Sequence, residues 1–249
     1  METNSEPTKA EQALTLYKNF LGAFIAKQVG MAIAFGLFAG FVLWYATGNS
    51  TLIIYLAGVG SVMGILNAYR LVNHAPCDLS DWQIANLPKG TIEPFNPELI
   101  EPDSYDVTLG DEFCQILPDG TTRVVKTDEL IIKPGECWLA HTQETFQFPD
   151  NIKGILQGKS SWARLSLFVE SAGLFDKGFA GTAVLELFNA GSWGIKIKKG
   201  DRIAQMSFHR TLPAAAPYGH ASRKSHYQKQ QGAQGSWLVK NERVVKIEK

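Results

Sequence analysis

Between Lys27 and Arg70 the chain carries no charged residue, a run of about forty positions. The run divides at Ala46-Thr47-Gly48-Asn49-Ser50, a polar turn signal. Its halves, Val29 to Tyr45 and Leu52 to Val72, each approach the ~20 residues needed to cross a hydrocarbon core. Inside lipid the backbone must pair with itself, so each half is expected to be a helix. The pattern predicts two transmembrane α-helices within residues 20–73, meeting the lipid bilayer through residues 28–72, after a polar N-terminal tail at 1–19. A hairpin buried in a water-soluble fold normally keeps a polar face, and neither half shows one. A cleaved signal peptide fits less well, because mostly polar residues precede the first span and a second span follows.

Gly36 with Gly40, and Gly60 with Gly64, give each helix the small-residue spacing that lets backbones approach closely. Whether those faces pack within one chain or between copies is left open at this level. Lys18 and Lys27 precede the first span and Arg70 follows the second, while the turn has no cation. The positive-inside bias therefore places both termini, and everything after residue 76, in the cytoplasm.

The remaining sequence has a different character. The 24 basic and 24 acidic side chains leave no formal net charge. That balance argues against nucleic acid as a partner, since phosphate neutralisation needs a basic excess. Cys77, Cys114 and Cys137 are odd in number and far apart, so a disulfide framework is not expected. No CxxC and no HxxxH occurs, and no metal-ligand set is visible. Ser80-Asp81-Trp82-Gln83 fits a capping box opening a short helix, closed by Pro88 and Gly90. From Ile92 the chain breaks into short apolar runs separated by Gly, Pro, Asp and Asn. Tyr105–Leu109, Glu129–Ile132, Cys137–Ala140, Gly154–Gln157, Thr182–Phe188 and Ile203–Phe208 read as strands of a mainly β sandwich or barrel over residues 76–212. Leu212-Pro213-Ala214-Ala215-Ala216-Pro217 reads as a linker, followed by a polar tail expected to stay mobile until something orders it.

Two stretches carry candidate chemistry. Gly158-Lys159-Ser160-Ser161-Trp162-Ala163-Arg164 crowds hydroxyls and cations after a strand, an arrangement suited to a phosphate. Alone it reads more readily as a solvated turn, and it is neither a Walker loop nor GxGxxG. Farther on, Ala172 to Gly181 reads AGLFDKGFAG and leads into Thr182-Ala183-Val184-Leu185-Glu186-Leu187. Period-two alternation puts Glu186 on the face of Val184 and Phe188. A carboxylate inside an apolar strand is costly unless it is paired, with Arg164 for example, or used.

From Leu79 to Ala233 the sequence resembles the dCTP deaminase family of the dUTPase-like trimeric superfamily. Leu99-Ile100-Glu101-Pro102-Asp103-Ser104-Tyr105-Asp106-Val107-Thr108-Leu109-Gly110 is similar to the family's IxPxSxDLxLG strand. Pro134-Gly135-Glu136 with Leu139-Ala140-His141-Thr142 resembles PGExxLAxT, and GKSSWARL resembles GRSSLARLG. AGLFDKGFAG with its LE resembles AGxIDPGFxGxxTLE, and Tyr227-Gln228-Lys229-Gln230-Gln231-Gly232 resembles the C-terminal arm. The resemblance implies a dUTPase-like jelly-roll or distorted β-barrel, a homotrimer with sites between subunits, and an arm within 213–249 closing over the nucleotide. It implies hydrolytic deamination of dCTP to dUTP and ammonia without zinc. The alternatives are a bifunctional enzyme giving dUMP and diphosphate, with Asp176 activating the second water, or a non-catalytic membrane-bound nucleotide sensor.

Carried over residue by residue, Glu186 would be the general base, with Ser160 and Arg164 positioning the water and stabilising the intermediate. Lys159 and Ser161 would hold the triphosphate, under Tyr218, His226 and Gln230. Asp176 would take the deoxyribose 3′-hydroxyl beside the base-reading Ser171 and Ala172. Mg²⁺ would ride on the triphosphate, and dTTP would be an expected inhibitor. The chain departs from the family pattern at Lys159 (usually Arg), Ser166 (commonly Gly) and His226 (usually Lys).

Overall fold

The computed structural model describes residues 9–47, 51–73, 77–117, 119, 121–169 and 172–241. The chain divides into two compact units, Met1–Pro76 and Cys77–Lys249.

The first unit is a helical hairpin of α1 (Lys9–Thr47) and α2 (Thr51–Asn73). The segment expected as a polar tail is therefore helical from Lys9 onward. From Lys9 its residues are mostly Ala, Leu, Lys, Gln and Glu with no Gly or Pro before Gly22, so propensity prevails over polarity there. The small-residue faces meet within the chain. A methyl group on Gly36 would run into the Leu56 carbonyl, and one on Gly60 into the Ala32 carbonyl. Only hydrogen at those two positions lets the backbones come this close. Along α1, Gly22–Val42 is long and apolar enough to cross a membrane, with a mean hydropathy of 1.7, whereas the apolar part of α2, Leu56–Asn67, is shorter.

The second unit is mainly β. Its strands are β1 (Cys77–Asp78), β2 (Ile92–Glu93), β3 (Ile100–Glu101), β4 (Ser104–Thr108), β5 (Glu112–Ile116), β6 (Thr122–Lys126), β7 (Glu129–Ile132), β8 (Cys137–Gln147), β9 (Ile152–Gly158), β10 (Leu167–Val169), β11 (Leu174–Phe175), β12 (Ala180–Asn189), β13 (Ile195–Lys198) and β14 (Arg202–Arg210). One sheet runs β11-β9-β14-β4-β3 with β1 against β14. The other runs β10-β12-β8-β5-β6 with β2 against β8, and β13 pairs β7 separately. All of these pairings are antiparallel. Between β1 and β2 lies the short helix α3 (Asp81–Ile84), whose capping box has the Ser80 amide donating to Gln83 Oε1 at 3.2 Å.

Inward residues alternate with outward ones, as a half-buried sheet requires. Ile195 and Ile197 of β13 are buried while Lys196 and Lys198 are exposed. Met206 and Phe208 of β14, Tyr105 and Val107 of β4, and Leu185 and Leu187 of β12 join one core cluster spanning both main sheets. Burial of each such side chain contributes roughly 1.5–3 kcal/mol.

The region expected as linker and mobile tail is instead docked on its own chain. Ala214 N donates to Asp150 O, and Lys229 N to Ala180 O at 2.7 Å. Gln230 bridges Gly181 in parallel, and Ala233 N donates to Glu112 Oε1 at 3.0 Å. Composition suggests disorder, but the carbonyls of Asp150 and Ala180 and the Glu112 carboxylate supply acceptors that composition does not reveal.

Candidate active site

Glu186 sits on β12 directly opposite Leu139 of β8. Its strand neighbours Leu185 and Leu187 are wholly buried, whereas Val184 and Glu186 are half-buried and Phe188 is exposed. The alternation read from the sequence thus holds, and Glu186 faces outward from the sheet into a cavity of about 410 Å³. Of the expected site residues, Ala172, Asp176, Glu186, Tyr218 and Gln230 line this cavity together. Leu139, Leu174, Phe175, Phe179, Val184, Tyr227, Gln234 and Ser236 complete the wall. Leu139 comes from strand pairing, which the sequence does not disclose. Gln234 and Ser236 lie past the arm motif and carried no local signal of their own.

Two glycines of AGLFDKGFAG have a legible purpose here. Gly178 has φ +83 and lies so close to Pro217 and the Tyr218 backbone that a Cβ would collide. Gly181 has φ +132 and presses against the backbone of Gln230. Both conformations favour glycine, and both let the returning chain lie against the start of β12. Tyr218 N then donates to Lys177 O at 2.7 Å, and the Tyr218 hydroxyl accepts from Tyr227 N at 3.0 Å. Gln230 Nε2 donates to Thr182 O at 2.8 Å, fixing its side chain within the wall. Phe179 packs between Phe175 and Tyr218, with ring centroids at 5.0 and 6.0 Å. These aromatic rings make one side of the cavity apolar and rigid.

The second expected group is elsewhere. Lys159 precedes a four-residue helix, α4 (Ser160–Ala163), between β9 and β10, and Arg164 follows it. Ser160, Ser161 and Arg164 are exposed, and none of the four lines the cavity. The Lys159 ammonium, expected to meet a triphosphate, donates to the fully buried Asp106 Oδ1 at 2.5 Å. Arg202 Nη1 lies 3.5 Å from the other oxygen, Oδ2. Trp162 Nε1 donates to Arg202 O at 2.9 Å, pinning the loop to β14. Ser166 closes the loop at φ +65, a left-handed conformation that explains the glycine common at this point of the motif.

His226 is likewise outside the cavity wall and stacks on Trp237, with centroids 4.1 Å apart and planes 8° from parallel. Ser171 falls outside the described residues. Near Glu186, the thiol of the exposed Cys137 is pushed up by partial desolvation and further by the Glu186 charge. Elsewhere on β8, the buried Glu144 carboxyl is raised by burial, although Thr108 N and Oγ1 both donate to it. Among the described residues, no three of His, Cys, Asp and Glu come together as a metal site.

A family model described as dCTP deaminase-like matches residues 79–211. A protein of Methanospirillum hungatei named dCTP deaminase, dUMP-forming, is 34% identical over 182 residues, covering 66% of this chain and 98% of that relative. A protein of the same name from Acidothermus cellulolyticus is 40% identical over 191 residues, covering 68% and 99% respectively. The crystal structure of 2′-deoxycytidine 5′-triphosphate deaminase from Agrobacterium tumefaciens overlaps with a TM-score of 0.48 at 19% identity, over 54% of this chain and 48% of that one. That overlap is too slight to bear on function. The match across 79–211, with relatives aligned over nearly their whole length, shows that this chain belongs to the dCTP deaminase-like family.

Proposed function

We propose that this chain deaminates dCTP by a Glu186-activated water and carries the product on to dUMP and diphosphate. The observation that carries the reading is the cavity that brings Glu186, Asp176, Ala172, Tyr218 and Gln230 together from three separate parts of the sequence. Relatives named dUMP-forming favour dUMP over dUTP as the released product.

Glu186 takes a proton from water as the oxygen attacks carbon 4 of cytosine, then delivers protons to ring nitrogen and amine, so that ammonia leaves. Oxygen replaces nitrogen at carbon 4 with no change of oxidation state. A second water, activated by Asp176, then breaks the bond between the α- and β-phosphates. One dCTP and two waters give dUMP, diphosphate and ammonia.

Ser160 and Arg164 stabilise the tetrahedral intermediate as preorganised donors. They are absent from the cavity wall of their own chain, so a neighbouring copy in a homotrimer supplies them. Ser161 and Lys159 meet the triphosphate from the same loop; an ammonium has three donors and can keep Asp106 while offering the others. Asp176 holds the 3′-hydroxyl, Ser171 and Ala172 read the base, and His226 meets the triphosphate from the arm. Mg²⁺ enters with the triphosphate as part of the substrate. dTTP competes for the same cavity.

The test follows dCTP by ion-exchange chromatography with the full chain in detergent, beside Glu186→Gln. The expected result is dUMP and diphosphate from the wild type, with the variant at least about 100-fold slower. Accumulation of dUTP removes the second step. Bound but unchanged dCTP overturns the enzyme and leaves a sensor.

A further inference from the structure

The helical unit is built inside out relative to a hairpin that packs in water. The side of α1 turned to α2 carries Val29, Ala32, Ile33, Gly36, Ala39 and Gly40, and Gly36 and Gly40 are buried. The sides turned away carry most of the large apolar residues. Phe35 is 74% exposed and Phe38 67%, with Met31, Leu37, Phe41 and Val42 exposed around them. On α2, Leu56, Ala57, Gly60, Ser61 and Gly64 face the seam. Val59, Val62, Met63, Ile65 and Leu66 are exposed. At 100° per residue, positions 31, 34, 35, 37, 38, 41 and 42 sweep roughly half of the α1 circumference. A single protein contact needs a stripe, not half a cylinder, whereas a lipid tail accepts every side.

We propose that this hairpin is a self-contained bilayer insert, with its glycine seam inside and most of its large apolar side chains against lipid tails. Residues 28–47, with no charge, span about 30 Å at 1.5 Å per residue, the thickness of a hydrocarbon core. Residues 51–69 of α2 are also uncharged and span about 28 Å. The contacts of Gly36 with Leu56 and of Gly60 with Ala32 fix an antiparallel register. That register brings Lys27 and Arg70, both exposed, to the same end of the hairpin, where they complement anionic headgroups. α1 does not stop at that interface. It runs back to Lys9, about 28 Å of further helix outside the hydrocarbon, on the side where α2 ends. The seam within one chain uses up the small-residue faces, so copies are not drawn together through them.

The inference stands apart from the catalytic reading, because its test reads lipid contact rather than turnover. Membranes from cells expressing the full wild-type chain are loaded with a phospholipid bearing a diazirine deep in its acyl chain, irradiated, and mapped by peptide mass spectrometry. Expected is label at Met31, Phe35, Phe38 and Phe41 and at Val62, Met63 and Leu66, sparing Ala32, Gly36 and Gly60. The chain should also stay with the membrane through alkaline carbonate extraction. Release into the carbonate supernatant with no label in 28–72 overturns the proposal. Label on only one flank of the exposed arc, such as Phe35 and Val42 without Leu37 and Phe41, overturns it too, since copies of the chain would then cover the other flank.

Discussion

The Lys159 ammonium reaches across from the loop after β9 and donates to Asp106 of β4, whose carboxyl is fully buried. The pair ties the exposed Ser160, Ser161 and Arg164 to the rigid centre of a sheet. Asp106→Asn leaves a partly buried ammonium without its counter-charge, so the β unit is expected to lose about 3 kcal/mol in denaturant unfolding. The loop should loosen as well, and turnover of dCTP should fall more than the stability loss alone accounts for. A variant with unchanged midpoint and rate would remove the anchoring role.

Ser166 occupies a left-handed backbone position, φ +65, at the end of the same loop. A side chain there costs roughly 1 kcal/mol, which glycine recovers less a small entropy loss in the unfolded chain. Ser166→Gly is therefore expected to stabilise the protein by somewhat under 1 kcal/mol, raising Tm by about 2 °C. A drop in Tm would contradict this.

Gly181, at φ +132, lets the arm residue Gln230 lie directly on the start of β12. Gly181→Ala should displace residues 213–241 without unfolding the sandwich. Tryptic cleavage at Arg223 and Lys224 should accelerate, and KM for dCTP should rise about tenfold, equivalent to ~1.4 kcal/mol of lost binding. Unchanged proteolysis would show that the docking does not depend on this glycine.

Tyr105 is wholly enclosed, and burial pushes its hydroxyl up to about 12, with the Asn96 amide lowering it and the Glu144 charge raising it. The folded protein keeps a proton that the unfolded chain releases near 10, so stability is unaffected below about pH 10 and falls as pH rises towards 12. Ultraviolet titration at the phenolate band should show one tyrosine lagging the others, and the lag should vanish in Tyr105→Phe. Titration of all tyrosines together would contradict the burial.

How far the sequence disclosed this can be seen at particular residues. Glu186 is legible because a carboxylate inside Val-Leu-Glu-Leu interrupts an apolar run, and the structure puts it on the face that period-two alternation gives. The capping box at Ser80 and the strand Glu129–Ile132 were legible for the same reason, each being a local pattern. The docking of the arm is legible only through the resemblance and not from composition, because its order comes from amides of β12 and from Glu112, more than a hundred positions from Ala233. The Asp106–Lys159 pair spans 53 positions and is set by strand pairing, so the sequence shows Lys159 as a phosphate-binding cation and not its carboxylate partner. The helix before residue 20 is hidden by its polar composition, although its residues have high helix propensity.

The account rests on one site being assembled from two groups that a single chain keeps apart, Glu186 in the cavity wall and Arg164 on the exposed loop. The most direct measurement mixes two inactive variants, Glu186→Gln and Arg164→Ala, unfolded together and refolded in equal amounts. In a closed ring with random assembly, each site draws its glutamate and its arginine from different copies, so about one quarter of the sites are intact. The account predicts recovery of about one quarter of wild-type dCTP deamination on mixing. Activity that stays at the level of the separate variants would contradict it.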